Sequence, residues 1–262
     1  MSKVTFEELL EAGVHFGHMR SKWNPAMAPY IFGEKNGVHI IDLHKTVTKL
    51  EEAAAAMNQI AKSGKRVLFV ATKKQAREIM ESRVKPLGVP LITERWSGGM
   101  LTNFATIRRT IKKMQTIDKM FQDGTAETMS KRERLQLSRQ RDKMELVFGS
   151  IVEMTKIPSA LFVVDIRREH LAVKEATKLG IPIFAMVDTN ANPNLVDFAI
   201  PANDDAASSI DKIMQVVTDA YAEGMAARKA AHAKDKEQAE QHAIEQAKPK
   251  KAHKVEHSED AE

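Results

Sequence analysis

The feature of this chain that most constrains its fold is a set of short apolar runs, each followed by a segment with helical character. The runs are VLFV at residues 67–70, ALFVV at 160–164 and IPIFAMV at 181–187. Uninterrupted β-branched and aromatic residues are typical of strands that are buried on both faces of a sheet. Helices between such strands imply parallel βαβ units with right-handed crossovers. The sequence therefore predicts an α/β fold built on a doubly wound parallel sheet.

The same alternation predicts further elements on either side of these runs. A short strand over residues 38–42 leads into an Ala- and Leu-rich helix over 46–62. Near the other end, a strand over 198–200 precedes a helix from about residue 204 to Gly224. The residues before 38 contain two prolines and no apolar run, so we expect an irregular start.

A basic segment separates the two halves of the α/β pattern. Residues 105–150 hold 11 Lys and Arg against 6 Asp and Glu, whereas residues 151–225 hold 6 against 11. Two stretches with helical periodicity flank a turn, and Ser130 with Glu133 forms a capping box for the second. This pattern predicts an inserted antiparallel coiled-coil hairpin. Its apolar seam would contain Ile107, Ile111, Met114, Ile117, Leu135, Leu137, Met144 and Val147.

The predicted organisation is a discontinuous α/β body (1–104 and 151–225), a hairpin (105–150) and a charged tail (226–262). The tail has almost no large apolar side chain, so it favours disorder or transient helix. The chain has no cysteine, which excludes a disulfide framework and fits a reducing compartment. No apolar stretch approaches the roughly 20 residues of a membrane span. We therefore expect a soluble cytoplasmic protein.

An enzyme is one alternative for a doubly wound sheet, which commonly binds nucleotides at its strand ends. The turns after the first two apolar runs contain no glycine-rich phosphate loop, and the chain has no G-x-S-x-G elbow. Gly98 and Gly99 could still cradle a phosphate, as in a sugar-phosphate isomerase. The other interpretation of this turn is a tight bend that passes close to another element.

Nucleic-acid binding has more support. Clustered basic side chains in the hairpin suit the closely spaced phosphates of a folded RNA, although solvated coiled-coil faces carry similar charge. Near the start, aromatic residues interleave with basic ones, and they would form local core or stack on bases or on a partner. The candidate RNA-binding residues are Arg20, Lys22, Arg108, Arg109, Lys112, Lys113, Lys131, Arg132 and Arg134.

Carboxylates predicted at strand ends form a second candidate site. His18, on a possible helix end, together with Asp188 and Asp205 could bind a divalent cation, although such carboxylates also cap helices. No other cofactor is expected. The acidic half of the body should face protein neighbours, because carboxylates repel phosphate; its candidate residues are Phe32, Asp188, Asp204 and Asp205.

Several long segments, in order along the chain, match a known family. They are LLEAGVHFGH, WNPAMAPYIFGEKNGVHIIDLHKT, ERWSGGMLTNF, PSALFVVD and GIPIFAMVDTNANPNLVDFAIPANDDA. From about Phe6 to Tyr221 the chain closely resembles the bacterial small-subunit ribosomal protein S2 family.

The resemblance implies a Rossmann-like body without enzymatic activity or a small-molecule substrate, carrying a coiled-coil hairpin and bound to small-subunit (16S-type) ribosomal RNA. It also implies a place between head and body of the subunit, beside neighbouring ribosomal proteins. These include the OB-repeat protein that captures messenger RNA. The turn over residues 95–103 would join body and hairpin, and the turn over 187–190 would end a body strand. The tail after Gly224 departs from the family pattern.

Overall fold

The computed structural model describes residues 4–247, with side chains as far as Ala233. Its N-terminal part begins with helix α1 (Phe6–Glu11) and continues as a small antiparallel sheet. The expectation of an irregular start is therefore wrong, because residues 16–35 contain two strands that pair with a third. These strands are β1 (Phe16–Met19), β2 (Ile31–Lys35) and β3 (Val38–Ile41), in the order β1-β3-β2.

The apolar runs form a five-stranded parallel sheet, as predicted. Its order is β5-β4-β6-β7-β8, whereas the predicted strand near residue 38, present as β3, lies in the small sheet. In chain order the body continues with α2 (Leu43–Lys62), β4 (Val67–Val70), α3 (Lys74–Val84), β5 (Leu91–Ile92), α4 (Phe104–Gln122), α5 (Lys131–Phe148), β6 (Ala160–Val164), α6 (His170–Lys178), β7 (Ile183–Val187), β8 (Phe198–Pro201) and α7 (Ala207–Ala247).

Both faces of the parallel sheet are covered, so β4, β5, β6 and β7 are buried along their whole length, and only the first half of the edge strand β8 is partly exposed. In β4, Val67 and Phe69 pack in one core cluster with α2, α3 and α7. Leu68 and Val70 pack in a second cluster with α6 and the start of α4. Because neighbouring residues of a strand face opposite sides, an uninterrupted apolar run is what a two-sided core requires. This arrangement confirms the α/β prediction and is compatible with a Rossmann-like body.

Helices α4 and α5 contact each other over a short apolar seam. Met114, Ile117 and Met144 are buried there, and Arg141 Nε donates to Asp118 Oδ1 at 2.8 Å. The capping box at the start of α5 is present. Leu135, predicted to be in the seam, is 52% exposed. Leu135 is therefore not part of the buried seam.

Helix α7 extends far beyond its predicted end near Gly224. A Cβ on Gly224 would lie 2.5 Å from the carbonyl oxygen of Asn58 and 2.7 Å from Cβ of Ala61. Gly224 therefore allows α7 to approach α2 closely and does not end the helix. The helix continues to Ala247 into the predicted tail, and the rest of the tail lies outside the described residues. Neither α7 nor any other helix within residues 4–247 is long and apolar enough to cross a membrane.

Candidate functional sites

The basic side chains of the α4–α5 pair divide into free and internally bonded groups. Arg109, Lys112 and Lys113 are exposed on α4, and no ion-pair partner lies near them within the described residues. At the start of α5, Lys131, Arg132 and Arg134 are also exposed and have no ion-pair partner among the described residues. These six cations can meet an external polyanion without first breaking an internal contact.

Arg108, a candidate RNA-binding residue, makes internal hydrogen bonds and does not face solvent freely. Its Nη1 donates to the carbonyl oxygens of Val152 at 2.9 Å and Met154 at 3.2 Å. These carbonyls follow α5, so Arg108 ties the root of α4 to the chain that returns to the sheet. A half-buried guanidinium with two carbonyl acceptors stabilises the junction and contributes little to an external surface.

The N-terminal sheet presents a second exposed group. Phe32 on β2 is 80% exposed, so the local-core interpretation is wrong for this ring. Lys22 is exposed, and Arg20 is exposed beside Glu34, with Nη1 and Oε2 3.4 Å apart.

The carboxylates expected at strand ends come together, as the parallel topology requires. Asp188 follows β7, Asp204 and Asp205 lie between β8 and α7, and Asp165 follows β6. His18 reaches them from strand β1 and not from a helix end. Lys73, directly after β4, completes the group. We call His18, Lys73, Asp165, Asp188, Asp204 and Asp205 the strand-end cluster.

Lys73 and His18 hold this cluster together. Nζ of Lys73 lies 2.7 Å from Asp204 Oδ1, 2.6 Å from Asp205 Oδ1 and 3.6 Å from Asp165 Oδ2. Nδ1 of His18 lies 3.1 Å from Asp188 Oδ2, and its Nε2 lies 3.4 Å from Asp205 Oδ2. Sequence reasoning missed Lys73, three residues after the apolar run that ends at Val70, and Asp165, directly after the run that ends at Val164.

Burial and neighbouring charges together raise the pKa of three members of the cluster, Asp204, Lys73 and His18. Burial, reinforced by the charges of Asp165 and Asp188, raises the pKa of Asp204 to about 7, against the effect of Lys73. For Lys73 burial would lower the pKa, but the surrounding carboxylates outweigh it and the pKa is raised. The Asp188 carboxylate raises the pKa of His18. The cluster therefore favours a cationic histidine and lysine against several carboxylates.

Three members of the cluster are spaced like metal ligands. One ligand atom each from His18, Asp188 and Asp204 lies within 4.8 Å of the others. Oδ2 of Asp204 is buried and has no hydrogen-bond partner in the described part of the chain. Asp205, the predicted third ligand, lies outside this set, and Asp204 takes its place.

The turn with Gly98 and Gly99 is already occupied by an anion of the protein itself. Glu175 of α6 accepts hydrogen bonds from the backbone N–H of Gly99 at 2.8 Å and Leu101 at 2.9 Å. Further donors are Thr102, through its N–H and its hydroxyl at 3.0 Å each, and Trp96 Nε1 at 3.1 Å. The tight-bend interpretation is confirmed, and a phosphate would have to displace this carboxylate.

The hydrogen bonds also fix the charge of Glu175. Burial alone would raise its pKa, but the donors of Thr102, Trp96, Leu101 and Gly99 outweigh burial and lower it. The carboxylate accepts the N–H groups of the turn to which the isomerase alternative assigns a substrate phosphate. The geometry does not support the isomerase alternative.

Comparison with known proteins decides the family. The family model described as ribosomal protein S2 matches residues 9–224. The chain belongs to the ribosomal protein S2 family. This confirms the resemblance in the sequence, and with it a structural role in translation and not a catalytic one.

Individual relatives are similar over most of their length. A protein of Parabacteroides distasonis is 61% identical over 230 residues, covering 88% of this chain and 83% of its own. One of Phocaeicola vulgatus is 60% identical over 88% of this chain and 82% of its own. One of Azobacteroides pseudotrichonymphae is 60% identical over 86% of each chain. All three are called small ribosomal subunit protein uS2.

Proposed function

We propose that this protein is a structural component of the small ribosomal subunit in the cytoplasm, and that it binds 16S-type ribosomal RNA. The α4–α5 pair is the main RNA contact and projects from the body as a coiled-coil hairpin. The observation that carries this proposal is the row of exposed cations on α4 and α5 without internal partners. Glu175 already accepts the hydrogen bonds of the Gly98–Gly99 turn, which supports RNA rather than a phosphorylated metabolite as the ligand.

A salt series tests the RNA contact. Binding of the full chain to small-subunit ribosomal RNA should weaken steeply with salt, because each neutralised phosphate releases counterions. Replacing Arg109, Lys112 and Lys113 with Ala should lower affinity, and each lost contact should reduce the slope by about 0.7–0.9. The matched control replaces Lys62, Lys65 and Lys178, three exposed lysines of the body. Equal loss in both triple variants, or none in either, would contradict the proposal.

Protein neighbours are proposed to contact Phe32 and Asp205. Asp188 and Asp204 are each 1% exposed, so of the three predicted aspartates only Asp205 can reach a neighbour. The resemblance suggests that these neighbours include the OB-repeat ribosomal protein. Phe32→Ala should reduce the amount of that protein that copurifies with small subunits, whereas Phe121→Ala, at an exposed phenylalanine after the seam, should not. No difference between the two would contradict this surface.

A divalent cation is proposed for the ligand atoms of His18, Asp188 and Asp204. A mixed set of one imidazole and two carboxylates favours Zn²⁺ over Mg²⁺. Titration of the metal-free protein with each ion should show Zn²⁺ binding that is lost in His18→Ala and retained in His44→Ala. Binding that is unchanged in His18→Ala would exclude this site.

A further inference from the structure

A cleft at the carboxyl ends of β6 and β7 has no role in the contacts described so far. Its volume is about 430 Å³, which lies within the roughly 300–1,000 Å³ of ordinary ligand sites. We call it the Trp23 cleft. Its lining includes Lys22, Trp23, Arg167, His170, Asn190 and Asn192.

The side chains at the Trp23 cleft favour an anion. Lys22 and Arg167 are exposed, and His170 lies beside them at the start of α6. No carboxylate is among the described residues that line the cleft. Asp165, close by in the chain, accepts hydrogen bonds from the backbone N–H groups of Arg167 and Arg168. The guanidinium of Arg167 has no carboxylate partner within residues 4–233.

Trp23 supplies an aromatic surface in the same cleft. Its side chain is 37% exposed, and the His39 ring lies against it with centroids 5.2 Å apart. The histidine supports the indole from within the small sheet and leaves part of it open. Exposed, supported aromatic rings next to cations are the usual platforms on which proteins stack unpaired bases.

Asn190 adds a polar group that lacks a partner. Its Oδ1 is buried and accepts no hydrogen bond from any described residue. Buried acceptors in folded proteins are nearly always satisfied by the protein or by ordered water, so this oxygen is open to an N–H or O–H donor from outside the protein. Base amino groups and the ribose 2′-hydroxyl are such donors.

We propose that the Trp23 cleft binds one unstacked nucleotide of an RNA chain. The base stacks on Trp23, Lys22 and Arg167 hold the adjoining phosphates, and Asn190 accepts from the base edge or the ribose. The inference rests on the proposed function and extends it, because it places a second RNA contact on the body, apart from α4 and α5.

An RNA chain fits the cleft better than a free nucleotide does. The phosphate-binding groups are exposed side chains, and the glycine turn that could cradle a terminal phosphate is held by Glu175. Arg20 lies in the same short helical turn as Lys22, outside the lining of the cleft, and its Nη1 is 3.4 Å from Glu34 Oε2.

Two variants and a control test the cleft with the full chain and small-subunit ribosomal RNA. Trp23→Ala should weaken binding roughly 5- to 150-fold, the range for losing one stacked base, and Trp23→Phe should recover most of it. Arg167→Glu should lower both affinity and salt slope. Lys178→Glu, a reversal at the far end of α6, should leave both unchanged. Equal effects of Arg167→Glu and Lys178→Glu would overturn the proposal.

Ultraviolet crosslinking of small subunits separates the ligand classes. The peptide with Trp23 should carry a crosslinked ribonucleotide. Crosslinking of that peptide to a protein instead would overturn the proposal. High-affinity binding of adenosine monophosphate alone, detected as quenching of Trp23 fluorescence, would also overturn it. Normal salt-dependent RNA binding with unaffected cleft variants would exclude the cleft while leaving the α4–α5 contact intact. If the wild-type protein itself failed to bind small-subunit ribosomal RNA, the proposed function would be excluded.

Discussion

At the scale of single residues, Glu175 shows how one carboxylate decides the chemistry of a turn. A loop with two glycines and several free N–H groups binds an anion readily. Here the anion comes from α6, so the loop becomes a fixed joint between the sheet and the root of α4. The same hydrogen bonds that exclude a substrate phosphate position the basic helices.

Glu175→Gln should therefore lower stability in a pH-dependent manner. The pKa of Glu175 is lowered from 4.5, so its contribution is present above pH 4.5 and is lost as pH falls through the folded-state pKa. We expect a loss of about 1–3 kcal/mol at pH 7, since several donors lose a charged acceptor. Urea unfolding at pH 7 and pH 3.5 measures it, with the exposed Glu78→Gln as control. A loss that is equal at both pH values would contradict the charge argument.

At the scale of elements, the packing of α2 against α7 depends on Gly224, which has no side chain to hold the helices apart. Gly224 lies in the middle of a helix, where glycine costs about 1 kcal/mol relative to alanine. Its contact with the backbone of Asn58 explains why the helix tolerates it.

Gly224→Ala should consequently destabilise the protein in spite of the better helix propensity of alanine. The new Cβ would lie 2.5 Å from the Asn58 carbonyl oxygen, so the two helices must separate. We expect a net loss of about 1–3 kcal/mol in thermal or urea unfolding. Ala226→Gly, at an exposed position two residues on, should cost about 1 kcal/mol through propensity alone. A gain in stability for Gly224→Ala would show that α2 and α7 are not in close contact.

At the scale of the whole molecule, the strand-end cluster joins the small sheet to the parallel sheet. Thr189 accepts from the backbone N–H of His18 at 2.8 Å, next to the His18–Asp188 contact. Lys73 links the ends of β4 and β6 to the start of α7. One buried cation therefore balances carboxylates from two separate parts of the chain, Asp165 after β6 and the Asp204–Asp205 pair before α7.

Replacing Lys73 should lower the stability of the protein, and a second substitution should restore part of the loss. Lys73→Met leaves Asp204, 1% exposed, without its counter-charge, and we expect a loss of roughly 3–5 kcal/mol at pH 8. The double variant Lys73→Met with Asp204→Asn should regain a large part of it. Arg83→Met, which breaks the more exposed pair with Asp211, should cost no more than about 1 kcal/mol. Denaturant unfolding of the wild type, Lys73→Met, Asp204→Asn, their double variant and Arg83→Met checks this, and additive losses in the double variant would contradict the coupling.

The sequence by itself determined the parallel sheet, the capping box of α5 and the family. Each of these depends on local pattern: strands buried on both faces must be apolar throughout, and caps must satisfy free N–H groups nearby. Strand ends also had to meet at one edge, which is why Asp188, Asp204 and Asp205 could be grouped in advance.

Only the tertiary structure decided which charges remain free. Arg108 and Arg109 are neighbours with the same chemistry, yet Arg108 donates to carbonyls beyond α5 while Arg109 faces solvent. Lys73 and Glu175 find partners 131 and 76 residues away, in Asp204 and Gly99. Such pairings depend on how distant elements cross, which periodicity and composition do not encode.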